Sequence, residues 1–383
     1  MSKEFIQTIS ELNEQRYIRQ LQRLIDGKIP CGVFFGFESS ENLPELVAQL
    51  KNSGFNLTCV IATDESFRES ANFSALPIVT LEELPQSEIR PQSIIYVKLY
   101  SSLIFTKYFS RLGISALPLL NTAYMENLYN FYISNLSKLF EVYNVFADEE
   151  SKKVFLATIK GRLTQVGTNF RFAAEPHYFL NGFLPENGEV AIDGGAFDGD
   201  TAKDFAQQGA EVYAFEMDSE NYKNCLERAK KYNFTIENLG LSDKESTEYY
   251  SRSGAASRKL STGGGQENEF AGQFIDLDTY VDRKNLSRVD YIKLDIEGAE
   301  LSMLRGAKKT VSRRKPKMAI SAYHKPEDLW TLADFLRSLR PDYEFRFRHY
   351  ISDVGAYGHD ELLKRLEIDS TFPIDWEMVL YCR

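Results

Sequence analysis

Cysteine and histidine are scarce in this sequence of 383 residues, with four of each. The cysteines Cys31, Cys59, Cys225 and Cys382 lie far apart and form no C-x-x-C pair. Without paired spacing they predict neither a disulfide framework nor a structural zinc site, so buried thiols are expected. The length favours two or three domains.

The sequence also lacks a long apolar run and an excess of basic residues. No stretch approaches the roughly 20 apolar residues that span a bilayer. Residues 1–17 are polar, so we expect no membrane span, no signal peptide and a cytoplasmic location. The net charge of -10 disfavours nucleic acid as a partner, because binding to phosphates requires a basic surface.

The N-terminal part of the chain alternates short apolar runs with helical segments. Residues 1–27 contain an amphipathic helix at 4–26, and residues 28–120 predict a small Rossmann-like domain of parallel βαβ units. Its expected strands are residues 31–37, 57–62 and 94–99, and its expected helices are residues 43–51 and 104–113. The turn at residues 36–40 lacks a full G-x-G-x-x-G pattern and carries Phe37 and Glu38 where a phosphate would approach. We therefore expect no dinucleotide there, and a role in acceptor recognition or homo-oligomerisation.

Residues 121–174 are aromatic and helical in period, which predicts a helical connector, and residues 175–383 predict a larger α/β domain. The expected strands of the larger domain are residues 189–193, 211–216, 235–241, 289–295, 318–323, 343–348 and 378–382. No good helix separates the last two, which predicts a hairpin with the terminal strand antiparallel. Residues 251–272 are rich in Ser and Gly and predict a mobile loop.

A glycine turn connects the first strand of this domain to a helix that begins near Asp200. A strand, a glycine turn and a helix are typical of nucleotide binding. Asp193, Asp198 and Asp200 crowd the turn and disfavour a phosphate, whereas S-adenosylmethionine carries a sulfonium and an ammonium and no phosphate. The turn therefore predicts an S-adenosylmethionine site, and a tight turn without a ligand is the alternative.

Two further strand ends supply polar groups to the same edge of the sheet. Glu216 follows the second strand, where an acid holds a ribose diol, and Met217 comes next. Ser242 and Asp243 end the third strand, near the expected adenine edge, although a helix cap is an equal alternative. The candidate cofactor residues are Asp193, Gly194, Gly195, Ala196, Asp198, Asp200, Thr201, Glu216, Met217, Ser242 and Asp243.

The fourth and fifth strands deliver the candidate catalytic residues Asp295, Glu297 and His324 to this edge. Transfer of a methyl group to a hydroxyl requires removal of a proton, and histidine is the commonest base. His324 is therefore the predicted base, with a purely structural histidine as the alternative. Asp295 and Glu297 could orient the acceptor, anchor the helix start or bind a divalent metal, but their spacing does not demand a metal. His177 is expected to pack, and His349 to lie at the surface.

Several ordered segments resemble the FkbM-type methyltransferase family. They are residues 189–201, 292–300, 323–330, 348–350 and 377–381. The resemblance implies a class I methyltransferase fold, a Rossmann-like α/β architecture whose seven-stranded sheet has a terminal antiparallel strand, after a smaller Rossmann-like domain and the connector. It also implies O-methylation of a sugar, glycan or polyketide-type hydroxyl, with Asp193, Gly195 and Glu216 at the cofactor and Asp295 and His324 at the reaction. Gly194 departs from the usual pattern.

Three other functions remain alternatives. The acidic turn and the terminal hairpin disfavour an NAD-dependent oxidoreductase. The sequence after the fourth strand lacks the Asn/Asp-Pro-Pro-aromatic turn of enzymes that methylate the amino groups of bases. A non-catalytic binding protein would keep the fold without the reaction, and the intact catalytic positions weigh against it.

Overall fold

The computed structural model describes residues 2–34, 43–70, 76–97, 105–253, 256–260, 269–353, 360–368, 371–372 and 376–383. The chain packs into two compact units. Unit 1 comprises Met1–Phe140, Lys153–Phe172 and Ile351–Asp375, and unit 2 comprises Glu141–Lys152, Ala173–Tyr350 and Trp376–Arg383. Ile351–Asp375 thus belongs to unit 1, although we expected residues 175–383 to form one domain.

The helices and strands alternate along most of the chain. The α-helices are α1 Lys3–Gln15, α2 Tyr17–Asp26, α3 Leu43–Asn52, α4 Glu65–Ser70, α5 Thr106–Arg111, α6 Thr122–Ser134, α7 Leu136–Val145, α8 Glu149–Thr164, α9 Asp200–Gln207, α10 Ser219–Tyr232, α11 Leu277–Arg283, α12 Glu300–Gly306, α13 Lys308–Arg314, α14 Asp328–Leu339 and α15 Asp360–Arg365. The strands are β1 Cys31–Phe34, β2 Leu57–Ala62, β3 Ile78–Thr80, β4 Ser93–Val97, β5 Ser115–Leu119, β6 Val190–Gly194, β7 Glu211–Phe215, β8 Thr235–Glu237, β9 Gly240–Ser242, β10 Ser246–Ser253, β11 Ala256–Lys259, β12 Glu269–Asp276, β13 Tyr291–Leu294, β14 Lys317–Ser321, β15 Phe345–His349, β16 Ser352–Asp353, β17 Thr371–Phe372 and β18 Met378–Cys382. Within the described residues, no helix has the length and apolar character needed to cross a membrane.

Unit 1 contains a five-stranded parallel sheet in the order β3-β2-β1-β4-β5. The short strands β3 and β5 were not expected from the sequence. The single helix expected at residues 4–26 is two helices, because Arg16 has an extended backbone with ψ 152° and caps both. Its guanidinium pairs with Glu126 and lies over the ring of Tyr129. The turn at residues 36–40 and the start of the helix expected at 104–113 lie outside the described residues.

Unit 2 contains a seven-stranded sheet in the order β15-β18-β14-β13-β6-β7-β8. The central strands β6 and β13 are buried along their whole length, as strands covered on both faces are. The terminal strand β18 runs antiparallel between β14 and β15, one position from the sheet edge. This confirms the expected class I architecture, but the prediction that no helix separates the last two strands is wrong, because α15 lies between them in sequence.

Unit 2 also contains a four-stranded sheet in the order β11-β10-β12-β9. It includes parts of the chain for which we expected a strand, at residues 235–241, and a loop, at residues 251–272. The strand expected at 235–241 is two short strands, β8 in the main sheet and β9, which pairs in parallel with β12. The prediction of a loop at 251–272 is wrong where the structure describes these residues, because they form the end of β10, β11 and the start of β12. Tyr250 and Phe270 are cross-strand partners whose rings stack at 5.9 Å, so aromatic packing outweighs the loop-like composition. Residues 254–255 and 261–268 lie outside the described chain.

Candidate active site

The glycine turn after β6 lies directly against the end of β13. Gly195 has a φ of +76°, and a Cβ atom there would come within 1.8 Å of the carbonyl oxygen of Asp295. The amides of Gly195 and Ala196 both donate to the carbonyl of Phe215, each at 3.0 Å. Gly199, also left-handed, precedes α9. Glycine is therefore required for the close approach of this turn to the end of β13.

Asp193 is fully buried beside a lysine. Its Oδ1 lies 3.0 Å from Nζ of Lys293, which also donates to the carbonyl of Gly195. Burial would lower the pKa of Lys293, but Asp193 and Asp295 raise it, so the lysine is charged. Lys293 and the backbone amide of Ala202 oppose the rise in the pKa of Asp193 that burial causes. Asp193 is therefore enclosed within β6 with Lys293 as its ionic partner.

Glu216 connects the glycine turn to the end of β7. Its carboxylate accepts hydrogen bonds from the amides of Phe197, at 2.9 Å, and Asp218, at 2.8 Å. Burial raises the pKa of Glu216 to about 6, although these amides oppose the shift. Asn238, after β8, donates to the carbonyls of Glu216 and Met217. Asn238 was not expected at the site, because the third strand ends earlier than the sequence indicated and its polar end was placed at Ser242.

The other acids of the turn have cationic partners. Asp198 lies 2.8 Å from the guanidinium of Arg228, and Asp200 lies 2.8 Å from Lys203. Since Asp193 is also paired, the turn repels a phosphate less strongly than three free carboxylates would. The acids alone therefore discriminate between cofactors less sharply than the sequence indicated.

The remaining cofactor candidates divide between two places. Thr201 is partly buried in the first turn of α9, and Met217 is partly buried after β7. Ser242 and the exposed Asp243 pack through their backbones against Gly306 at the end of α12. No described contact brings Ser242 or Asp243 to the glycine turn, so their role stays a prediction.

Two tyrosines hold Asp295, which follows β13. Tyr178 donates to its Oδ2 at 2.9 Å and Tyr323 to its Oδ1 at 3.1 Å. Burial alone would raise the pKa of Asp295, but Lys293 and His324 lower it. Asp295 is therefore a fixed carboxylate at the end of β13.

His324 lies between three carboxylates. Its Nδ1 is 3.0 Å from Oε1 of the buried Glu300, and its Nε2 is 3.6 Å from Asp295 and 3.7 Å from Glu297. Burial alone would lower the pKa of His324, but Glu300 and then the other two carboxylates raise it to about 9. The structure thus brings His324, Asp295 and Glu297 together as expected and adds Glu300, which the sequence indicated only as part of a motif.

Glu377 and His177 form a second acid and imidazole pair at this edge. Oε2 of Glu377 lies 3.6 Å from Nε2 of His177, whose ring stacks on Tyr178 at 3.9 Å. Glu377 was not expected here because only the carboxyl ends of parallel strands were considered, whereas the antiparallel β18 brings its amino end to this edge. His349 is fully buried, so its expected surface position is wrong.

Asp295, Glu300 and His324 also form a grouping that could hold a divalent cation. One ligand atom from each lies within 4.8 Å of the others. The imidazole faces Glu300 through Nδ1 and Asp295 through Nε2, so a single ion would require one of these contacts to change. The same contacts suit a histidine base that is held through Nδ1 and faces two carboxylates through Nε2.

Part of the chain matches a known family model, and the fold matches a solved structure. Residues 193–347 match the family model of the methyltransferase FkbM domain. The crystal structure of methyltransferase FkbM from Methylobacillus flagellatus is similar in fold, with a TM-score of 0.66 and 19% identity over 99% of this chain and 98% of that chain. No curated protein matches the sequence significantly.

Two other crystal structures align more loosely. An rRNA methylase from Streptococcus thermophilus has a TM-score of 0.31 and 11% identity over 52% of this chain and 89% of that chain. A precorrin-6y C5,15-methyltransferase from Geobacter metallireducens has a TM-score of 0.32 and 10% identity over 55% of this chain and 92% of that chain.

The fold is therefore that of a class I methyltransferase. Within the chain, residues 193–347 match the domain that defines the FkbM methyltransferase family. The matched segment includes Asp193, Asp295 and His324 and ends before Glu377.

Proposed function

We propose that this protein is an S-adenosylmethionine-dependent O-methyltransferase in which His324 accepts the proton of the acceptor hydroxyl. The contact between His324 and Glu300, at the same sheet edge as the glycine turn, carries this proposal. Glu300 holds one nitrogen of the ring, so the other nitrogen is directed towards Asp295 and Glu297. Such an arrangement is typical of a general base with a carboxylate that orients it.

The residues at the glycine turn fit the cofactor. The left-handed Gly195 shapes the turn after β6, and Glu216, held there by the amides of Phe197 and Asp218, has further acceptor capacity for a ribose diol. When bound there, S-adenosylmethionine supplies an electrophilic methyl carbon. The contribution of the chain is to align the acceptor with that carbon, and alignment can lower the barrier by up to roughly 7–11 kcal/mol.

The electrostatics around His324 favour the proton transfer. The imidazolium that results from proton uptake lies near the carboxylates of Glu300, Asp295 and Glu297, which stabilise its charge. The same carboxylates keep most of the histidine protonated at neutral pH, so the neutral and active form increases with pH. A general base of this kind contributes about 10²- to 10⁴-fold to the rate.

Replacement of His324 tests the proposal. We expect His324→Ala to bind S-adenosylhomocysteine within about twofold of the wild type, while turnover falls by about 10²- to 10⁴-fold. Calorimetry measures the binding, and transfer of labelled methyl groups to a panel of sugars and glycans measures turnover. A folded variant that loses cofactor affinity would assign His324 to the cofactor instead of the proton.

Unit 1 offers separate support for a role in recognition or oligomerisation. A cavity of about 440 Å³ lies along the edge strand β5, beside Lys107, Leu117 and Gly167. An edge strand has unpaired backbone groups that a ligand or a second chain can use. We propose that this unit binds part of the acceptor or a second copy, and the mass of the protein in solution with and without acceptor distinguishes the two.

A further inference from the structure

Two carboxylates beside His324 have no hydrogen-bond donor among the described residues. They belong to Glu297, after β13, and Glu377, before β18. Their nearest basic contacts are imidazole nitrogens at 3.7 Å, from His324 to Glu297, and at 3.6 Å, from His177 to Glu377. Both distances exceed those of hydrogen bonds. The neighbouring Asp295, in contrast, accepts from two tyrosine hydroxyls.

Both carboxylates are accessible at the same site. The amide of Ala322 donates to the carbonyl of Met378 at 2.8 Å, which places Glu377 beside Tyr323 and hence near Asp295. The side chains of Glu297 and Glu377 are 45% and 23% exposed, so a ligand can reach them. Both carboxylates are therefore acceptor groups that lie near Asp295.

His177 is a second polar residue near Glu377 that lacks a hydrogen-bond partner in the described chain. The atom concerned is its buried Nε2. Burial lowers the pKa of His177 to about 4, so the ring is neutral and does not balance the charge of Glu377. Burial and the nearby Asp295 raise the pKa of Glu377 to about 7, as expected for a carboxylate without a close donor.

The cations of the region are already engaged. Lys293 pairs with Asp193, and His324 lies against Glu300. Lys325 donates to the carbonyl of Gly298. An anionic group placed between Glu297 and Glu377 would therefore meet carboxylates without a free cation among these described groups.

We propose that Glu297 and Glu377 accept hydrogen bonds from hydroxyl or amino groups of the acceptor and so exclude acceptors that carry a phosphate beside the methylated hydroxyl. This inference rests on the proposed function, because it concerns the acceptor of the same site. It assigns to Glu377 a role in specificity and gives Glu297 a partner across the site. The acceptor class is an unphosphorylated polyhydroxylated compound, and an amino group placed between the two carboxylates strengthens binding.

A matched series of sugars tests the charge selection. Full-length protein saturated with S-adenosylhomocysteine is mixed at pH 7.5, above the pKa of Glu377, with methyl glucoside, glucosamine or glucose 6-phosphate, and binding is followed by saturation-transfer NMR. We expect the affinity to decrease in the order glucosamine, methyl glucoside, glucose 6-phosphate. In Glu297→Gln and Glu377→Gln the preference for glucosamine over glucose 6-phosphate should fall at least about tenfold, because an amide has no charge to attract or repel.

Glu367→Gln is the control, because Glu367 is an exposed glutamate of unit 1 with the same left-handed backbone as Glu297. This variant should leave unchanged the order of affinities and the preference for glucosamine over glucose 6-phosphate. Equal or tighter binding of glucose 6-phosphate by the wild type, absence of binding by all three sugars, or a Mg²⁺ requirement for glucosamine binding would overturn the inference. If the protein instead fails to bind S-adenosylhomocysteine, the proposed function itself is wrong, so the two failures are distinguishable.

Discussion

Nδ1 of His324 lies 3.0 Å from Oε1 of Glu300, a carboxylate that is buried at the start of α12. The same oxygen accepts from the amides of Ile296, at 3.0 Å, and Gly298, at 3.3 Å. Glu300 is thus fixed by the loop that follows Asp295, and it fixes the imidazole in turn. This arrangement connects the end of β13 to His324, which follows β14.

The first prediction concerns the pH dependence of turnover. Because the pKa of His324 is raised to about 9 and a base must be neutral, turnover should increase with pH, with an inflection near pH 9 and a plateau above it. Glu300→Gln removes the first of the charges that raise this pKa. The inflection of the pH profile should therefore move down by more than about one unit, with a lower plateau because the base is weaker.

The measurement is turnover at saturating cofactor between pH 6 and pH 10. Glu220→Gln provides a control, because Glu220 is an exposed residue in the first turn of α10, remote in sequence from this loop. An inflection that stays in place in Glu300→Gln would show that another group accepts the proton.

The second prediction concerns the buried pair of Asp193 and Lys293. Replacement of Asp193 by Asn leaves a buried ammonium without its partner, which should lower the free energy of unfolding by about 3–5 kcal/mol. The double variant Asp193→Asn with Lys293→Met should recover most of this loss, because no uncompensated charge remains. It should still bind S-adenosylhomocysteine weakly if Asp193 contacts the cofactor.

Urea unfolding and calorimetry of the three proteins separate the two roles. Normal cofactor affinity in the stable double variant would show that Asp193 serves the fold alone. The single variant cannot decide this question, since loss of folding and loss of binding coincide in it.

The fold was predictable where the chain alternates buried strands with helices. The strands β2 and β18 begin and end where their apolar runs do, because a fully buried parallel or central strand requires continuous apolar residues. The four-stranded sheet was not predictable, since β10 is polar apart from two tyrosines and the apolar residues of β12 are interrupted by Gly272 and Gln273. Their pairing depends on contacts between residues far apart in sequence, such as Tyr250 with Phe270.

The site was predictable to the extent that it follows the parallel strand ends. Asp295, Glu297 and His324 were identified because the carboxyl ends of parallel strands share one edge. Glu300 and Glu377 were not, for two different physical reasons. Glu300 is a buried helix-start residue whose contact with His324 depends on a left-handed turn at Gly298, and Glu377 arrives on an antiparallel strand.

The third prediction concerns stability at low pH. Asp148 lies 3.0 Å from the buried guanidinium of Arg348 and accepts from the amide of Ser151. Burial would raise the pKa of Asp148, but Arg348 and Ser151 lower it to about 2. Asp148→Asn should therefore lower the free energy of unfolding by about 2 kcal/mol at pH 7, because Arg348 loses its partner.

The difference between wild type and Asp148→Asn should be constant above about pH 5. It should shrink as the pH falls below about 4, the ordinary pKa of the unfolded chain, and disappear near pH 2. Asp282→Asn is the control, because its pair with Lys309 is exposed and should matter little. Urea unfolding across this pH range measures the difference in the free energy of unfolding between the two proteins. A difference that grows on acidification would contradict the prediction.

The last prediction compares two glycines with nearly equal backbone angles. Gly188 has a φ of +78° and open space within 4 Å of the position that a Cβ would take, whereas at Gly195, with a φ of +76°, a Cβ would collide with the carbonyl of Asp295. Both alanine variants incur the strain of a left-handed residue, roughly 1–2 kcal/mol. Gly195→Ala must also push the turn away from β13. It should lose more stability than Gly188→Ala and should impair cofactor binding and turnover together. Equal thermal unfolding and equal turnover of the two variants would show that the turn can move away from Asp295 without consequence for the reaction.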